Sequence, residues 1–253
     1  MIIWHISDTH TNHEQLNIPD NIDLVIHSGD FANYRDPARN EPEAHKFLKW
    51  FRELDIPNKV LICGNHDSSI ERGLITGKYI RSLGIKYLYN ETTEVMGLKI
   101  WGSPYTPTFG DWSFMKSRAK IGRVWESIPD NTDIIVTHGP PKGILDITNR
   151  RDNLQEQCGC GALMKRVLDI QPKLMCFGHI HNGPDIRNSG VKQIAGMDTT
   201  FSNGACSTDG KWGVATSHGN VIELEQEDAA PYQGHFTDPK LMGYDPDEEE
   251  DEG

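Results

Sequence analysis

The sequence has no apolar run approaching the ~20 residues that a membrane-spanning helix requires. Met1 leads straight into Ile2, Ile3, Trp4, His5 and Ile6, a strand-like stretch rather than the basic segment, apolar core and cleavage site of a secretory signal. A soluble, cytoplasmic protein is therefore expected. Cysteine is sparse: the five, at 63, 158, 160, 176 and 206, are odd in number and form no Cys-x-x-Cys pair. Neither a disulfide framework nor a structural zinc site is indicated, and Cys63 and Cys176, set in apolar runs, are expected as small core residues. Positive charge is also scarce, since 25 Lys and Arg against 37 Asp and Glu leave a formal charge of −12. That balance, with no visible run of Lys and Arg to track a phosphate backbone, disfavours a long polynucleotide partner. Much of the excess lies between Asp245 and Gly253, so the body is only mildly acidic, and a metal-filled cleft can invert the local field and attract phosphate. No repeat at a fixed period is present.

What remains, 253 residues with 36% hydrophobic content, suits one α/β domain. Residues 1–225 are expected to form it, and residues 226–253 to form an extension whose acidic run is disordered. Apolar positions Ala44, Phe47, Leu48, Phe51 and Leu54 predict a helix over Glu41–Leu54 after a polar loop ending near Pro42. Ser68–Arg81 reads as helix broken at Gly73 and Gly77, and Thr92–Val95 with Leu98–Trp101 as a hairpin turned at Met96-Gly97. Phe114–Ile128 and Ala162–Ile170 read as further helices, and Leu145–Gly161 as a loop. Ala195–Ala205 and Asn220–Glu225 read as the last strands of a second sheet.

The polar residues of interest cluster where strands stop. Ile2–Ile6 ends in Asp8 and His10, and Leu24–His27 ends in Gly29 and Asp30. Lys59–Cys63 ends in Gly64, Asn65, His66 and Asp67, Asp133–Val136 in His138, and Leu174–Phe177 in His179 and His181. Each pair alone is as well explained by a capping Asp or a solvated His. All of them at strand exits favour one shared site, because strand ends are where α/β proteins carry their chemistry. Asp, Asn and His without thiolate suit Mn, Fe or Zn, and seven such groups suit two ions sharing a carboxylate rather than one tetrahedral ion. Between Trp101 and Trp112 lies a loop rich in Pro, Gly and aromatics. Its Tyr105, Phe109 and Trp112 serve equally well as a wall for a base or aryl group or as cover for the sheet edge.

Asp8-x-His10, Gly29-Asp30, Gly64-Asn65-His66-Asp67, Thr137-His138-Gly139 and Gly178-His179-Ile180-His181 resemble, in order, the motifs of calcineurin-like metallophosphoesterases. Gly102-Ser103-Pro104, Phe109 to Trp112, Gly139-Pro140-Pro141, Gly143 to Asp146 and Gly159 to Leu163 are similar to the branch of metallophosphoesterase-domain-containing proteins, related to class III cyclic nucleotide phosphodiesterases. The resemblance implies a double-layered β sandwich flanked by helices, with a dinuclear site at the strand ends. It implies that Asp8, His10, Asp30 and His181 hold one divalent ion, Mn or Fe/Zn. The other would lie on Asp30, Asn65, His138 and His179, with Asp30 bridging. A hydroxide between the ions would attack phosphorus, and His66 would orient the phosphate or protonate the leaving oxygen. Asp67 is expected either to set the His66 tautomer or to cap the following helix. The substrate expected is a small phosphodiester, a cyclic nucleotide or an aryl diester, bound by Asn65, His66, Tyr105 and Phe109. A nuclease or phosphomonoesterase with the same centre is the alternative, and a binding module that keeps the fold without turnover is the second.

Overall fold

The protein is described by a computed structural model, which covers residues 1–149, 154–211 and 213–225. The expected acidic extension therefore lies outside the described residues, as does the middle of the Leu145–Gly161 segment. The chain runs through β1 (Ile2–Ile6), β2 (Leu24–Ser28), helix α1 (Pro37–Glu53) and β3 (Asn58–Ile62). Helices α2 (Ser68–Glu71) and α3 (Gly77–Ser82) precede β4 (Lys86–Tyr87), the hairpin of β5 (Glu91–Val95) and β6 (Leu98–Ser103), and a short pair, β7 (Thr106–Pro107) with β8 (Met115–Lys116). Then come α4 (Gly122–Glu126), β9 (Ile134–Thr137), a second short pair, β10 (Ile147–Asn149) with β11 (Gln155–Gln157), and α5 (Gly161–Ile170). Strands β12 (Leu174–Phe177), β13 (Gly190–Gln193), β14 (Thr200–Asn203) and β15 (Asn220–Glu223) follow.

Two sheets stack. A 5-stranded sheet has the order β15-β1-β2-β3-β4, and a 6-stranded sheet the order β13-β14-β12-β9-β6-β5. The strands that carry the site are parallel within their sheets, β1 to β3 in one and β9 and β12 in the other. Each is apolar on both faces, because one face meets the other sheet and the opposite face meets helices. Alternation decides which residue goes where. Ile3, Leu24, Ile26, Val60 and Ile62 meet Ile134, Val136, Leu174 and Cys176 between the sheets. Trp4, Val25 and Leu61 turn outward onto Ala44, Phe47, Leu48 and Phe51 of α1. On the far side Ile135, Met175 and Phe177 meet Val124 and Trp125 of α4 and Leu163 and Val167 of α5. The architecture is the expected double-layered sandwich flanked by helices, with a hydrophobic layer on each side of both sheets.

Several local expectations are corrected. Helix α1 starts at Pro37 rather than Glu41, because the Asp36 side chain accepts the Arg39 amide at 3.0 Å and Pro37 supplies a preset φ at the first helical position. Pro42 lies inside this helix and costs one backbone bond. The Phe114–Ile128 helix shrinks to Gly122–Glu126, since Phe114 has φ of 51° and Met115–Lys116 is a strand. Ile121, Val124, Trp125 and Ile128 are nonetheless buried. Leu145–Gly161 contains the β10–β11 pair. Strand β15 joins β1 in the first sheet, not the second. Only Thr200–Asn203 of the Ala195–Ala205 stretch is strand, and its antiparallel neighbour β13 was not foreseen. Among the described residues no helix is long and apolar enough to cross a membrane.

Candidate metal centre

Because β1, β2 and β3 run the same way, their C-terminal ends deliver Asp8, His10, Asp30, Asn65 and His66 to one edge of the sandwich. Strands β9 and β12 deliver His138, His179 and His181 to the same place. Backbone bonds join these exits: the Asp8 amide donates to the Gly29 carbonyl at 2.9 Å, His10 to Asp30 at 3.1 Å, and Gly178 to His138 at 2.9 Å. The turns are tight enough that Asp8, His10, Asp30 and His179 all sit at left-handed φ of 51°, 40°, 58° and 69°. Such φ values cost energy in non-glycine residues and gather where the surroundings impose them, typically at functional sites. Two glycines are required by close approach. A Cβ on Gly64 would collide with the Asp30 carboxylate and lie 2.5 Å from the His138 ring, and one on Gly178 would overlap the Asp8 carboxylate and the Ser7 hydroxyl.

Three groups of side chains converge within 4.8 Å of one another: Asp8, His10 and His181; His10, Asp30 and His66; and Asp30, His138 and His179. Asp30 and His10 each belong to two of them. His181 Nε2 lies 3.1 Å from Asp8 Oδ1, and His138 Nε2 lies 3.2 Å from Asp30 Oδ2 and 3.0 Å from Asn65 Oδ1. His138 Nδ1 meets the Ser28 carbonyl at 2.9 Å, which gives that nitrogen the proton and leaves Nε2 to face the cluster.

Burial opposes charge on the His138 imidazole, but the Asp30 carboxylate outweighs it and raises the pKa to about 9. His181 rises to about 10 in the same way, burial being overcome by the hydrogen bonds to Asp209 and Asp8. Burial would raise Asp8 and Asp30 too, yet His181 and His138 respectively hold both carboxyls well below the usual range. His10 and His179 go the other way, lowered by burial to about 4 and about 3.

The residues fit divalent cations. Both ring nitrogens of His10 are buried without a hydrogen-bond partner, a state that buried polar atoms occupy when a ligand is meant to satisfy them. Ionised carboxylates, the neutral imidazoles of His10 and His179 and the Asn65 amide oxygen form a hard-to-borderline donor set with no thiolate.

Asp67 does neither of the things expected of it. Its carboxylate accepts four backbone N–H groups, from Asp30 at 2.9 Å, Gly64 at 2.7 Å, Phe31 at 3.1 Å and Ala32 at 3.0 Å. Burial and Asp30 push its pKa up, and the Ala32 and Gly64 amides oppose that push by stabilising the ion. It makes no side-chain bond to the helix it precedes. His66 Nδ1 instead meets the Asn33 carbonyl at 3.0 Å, and Trp112 lies over the His66 ring with centroids 4.3 Å apart.

A cavity of about 480 Å³ opens in front of the cluster. Phe109 and Trp112 line it with Arg118, Ile147, Ile180 and Ile186, and Phe109 reaches within 5.1 Å of the His179 ring. Tyr105 is corrected: it stands outside this wall and packs against Tyr89 and Phe114, with its hydroxyl bonded to that of Tyr89. Arg118 belongs to a basic stretch, Lys116 to Arg123, where no run of Lys and Arg was expected. Its guanidinium donates to the carbonyls of Gly159 at 3.0 Å and Cys158 at 2.7 Å. Asp209, at 3.1 Å from His181 Nδ1, was also missed. Its one local signal is an Asp-Gly turn far from every motif.

A two-sheet sandwich thus carries a His, Asp and Asn cluster at the ends of its parallel strands. The model of the calcineurin-like phosphoesterase family matches residues 1–183, and the chain belongs to that family. Human metallophosphoesterase domain-containing protein 1 is 30% identical over 227 residues, 80% of this chain, which spans 65% of that protein's length. UPF0046 protein C25E10.12 of Caenorhabditis elegans is 35% identical over 220 residues, 79% of this chain and 73% of the relative. The crystal structure of TT1561 from Thermus thermophilus superposes with a TM-score of 0.54 at 13% identity, covering 80% of this chain and 88% of that one, a likeness of fold.

Proposed function

We propose that this chain is a metal-dependent phosphoesterase that hydrolyses small phosphodiesters, a cyclic nucleotide or an aryl diester, rather than long polynucleotides. One divalent cation would be held by Asp8, His10, Asp30 and His181, and a second by Asp30, Asn65, His138 and His179. When bound, the two cations supply Lewis-acid charge at the phosphoryl oxygens and lower the pKa of a water molecule. Asn65 and His66 face the cavity and orient the phosphate. His66, with one ring nitrogen engaged by the Asn33 carbonyl, has the other free to give a proton to the leaving oxygen as its bond to phosphorus breaks.

The observation that carries the diester reading is the cavity wall. About 480 Å³ is room for one base or aryl group beside the phosphate, and Phe109, Trp112, Ile147 and Ile180 give that group apolar surface. Turnover of phosphomonoesters, small phosphodiesters, cyclic nucleotides and single-stranded DNA, each with protein loaded separately with Mn²⁺, Fe²⁺ and Zn²⁺, tests the reading. Small diesters are expected to be cleaved fastest. Faster cleavage of DNA than of every small diester would replace it with a nuclease, and metal binding without any turnover would leave a binding module.

A further inference from the structure

We propose that Asp209 is the positioning residue for His181, holding the Nδ1 proton so that Nε2 is presented, unprotonated, to a cation beside Asp8. This rests on the reading of the cluster as a two-cation centre. His181 Nδ1 lies 3.1 Å from Asp209 Oδ1 while its Nε2 lies 3.1 Å from Asp8 Oδ1, so the ring spans the two carboxylates. A ligand histidine whose remote nitrogen donates to a carboxylate has its tautomer and ring plane set, and its basicity raised. The other histidines of the cluster differ. His138 has only a neutral carbonyl behind it, at Ser28, and neither nitrogen of His10 has any partner.

The contact is built into the backbone. Asn182, next to His181, pairs with Thr208, next to Asp209, in an isolated bridge, and the Asp209 amide donates to the Asn182 carbonyl at 2.9 Å. The same segment braces the opposite side of the cation site. The Ser207 hydroxyl donates to the Asp8 carbonyl at 2.8 Å, the Cys206 amide donates to the Ser7 carbonyl at 2.9 Å, and Ser7 bridges Ala205. Residues 205–209 thus set the spacing between Asp8 and His181, and Asp209 is the one that addresses the ligand itself. Its carboxylate is 64% exposed, so removing it opens no cavity.

The test is titration of the full-length chain with Zn²⁺ against a chelating indicator, which resolves the two cation sites, together with the ¹⁵N shifts of His181 in the zinc-loaded protein. Asp209→Ala is expected to weaken one of the two binding steps about 10- to 100-fold and to leave the other unchanged. The His181 Nδ1–H signal should broaden or shift, with melting temperature held within a degree or two. Asp209→Glu should recover much of the lost affinity. Two unaltered binding steps, or two steps weakened alike, would overturn the proposal. If the unsubstituted chain binds no zinc at all, the two-cation reading itself fails, which is a distinct result.

Discussion

The side chains of His66 and Asp67, adjacent in the chain, have separate partners: the His66 ring is held by the Asn33 carbonyl at 3.0 Å, while the Asp67 carboxylate gathers four backbone amides from the exits of β2 and β3. His66 is thereby left with one ring nitrogen for chemistry. Asp67 fixes the backbone that carries Asp30.

Asp67→Asn offers one oxygen where two now accept, so two buried amides lose their acceptors. A loss of roughly 2–5 kcal/mol in urea unfolding of the metal-free protein is expected, with weaker metal binding because Asp30 is carried on the released turn. A loss below about 1 kcal/mol would show that these amides find other partners.

His66→Ala should keep both cations and cut turnover about 10²-fold or more, least on diesters with a good leaving group that need no proton. Metal analysis beside steady-state kinetics decides it. Loss of a cation would make His66 a ligand, a role its nearness to His10 and Asp30 permits.

Gly178→Ala forces a methyl group into the Asp8 carboxylate. Binding at the cation site of Asp8 and His181 should fall steeply, measured by zinc titration. Gly161→Ala, where a Cβ meets nothing within 4 Å, should change nothing and serves as control.

Tyr105 and Phe109 should part company. Tyr105→Ala removes packing against Tyr89 and Phe114 and is expected to lower the melting temperature. Phe109→Ala, at a side chain 57% exposed in the cavity wall, should raise KM for aryl and nucleotide diesters with stability nearly unchanged. Equal losses of stability in both variants would remove Phe109 from the substrate wall.

Acid should destabilise the metal-free fold through histidines held neutral. Burial lowers His5 and His27 to about 3 from 6.5. Below pH 6.5 the unfolded chain takes up protons that these native imidazoles refuse, so the stability they contribute is full above that pH and is lost towards pH 3. Each such group costs up to about 1.4 kcal/mol per pH unit. His138 and His181, raised to about 9 and 10, are charged in both states once the pH is well below 6.5 and add no slope there. Urea midpoints from pH 7 to pH 4 should show the decline, shallower in His5→Gln. A flat profile would contradict it.

The order of residues specifies the strands and the polar groups at their ends. Consecutive apolar residues such as Leu24–Ile26 and Leu174–Phe177 can satisfy both faces only as parallel strands buried between sheet and helix. Polar residues directly after such strands must emerge along one edge, which made Asp8, His10, Asp30, Asn65, His138, His179 and His181 legible together. Orientation within the site was decided by tertiary contacts. Asp67 was misjudged because its four amide donors come from turns up to 37 residues away, and Tyr105 because an aromatic loop residue carries no local mark of the side it faces. Asp209 reaches His181 across 28 positions, and β15 finds β1 more than 200 positions from it in the chain. No local pattern encodes such pairings, because hydrogen bonds and cross-strand contacts depend on distance in space, which packing of the two sheets alone sets.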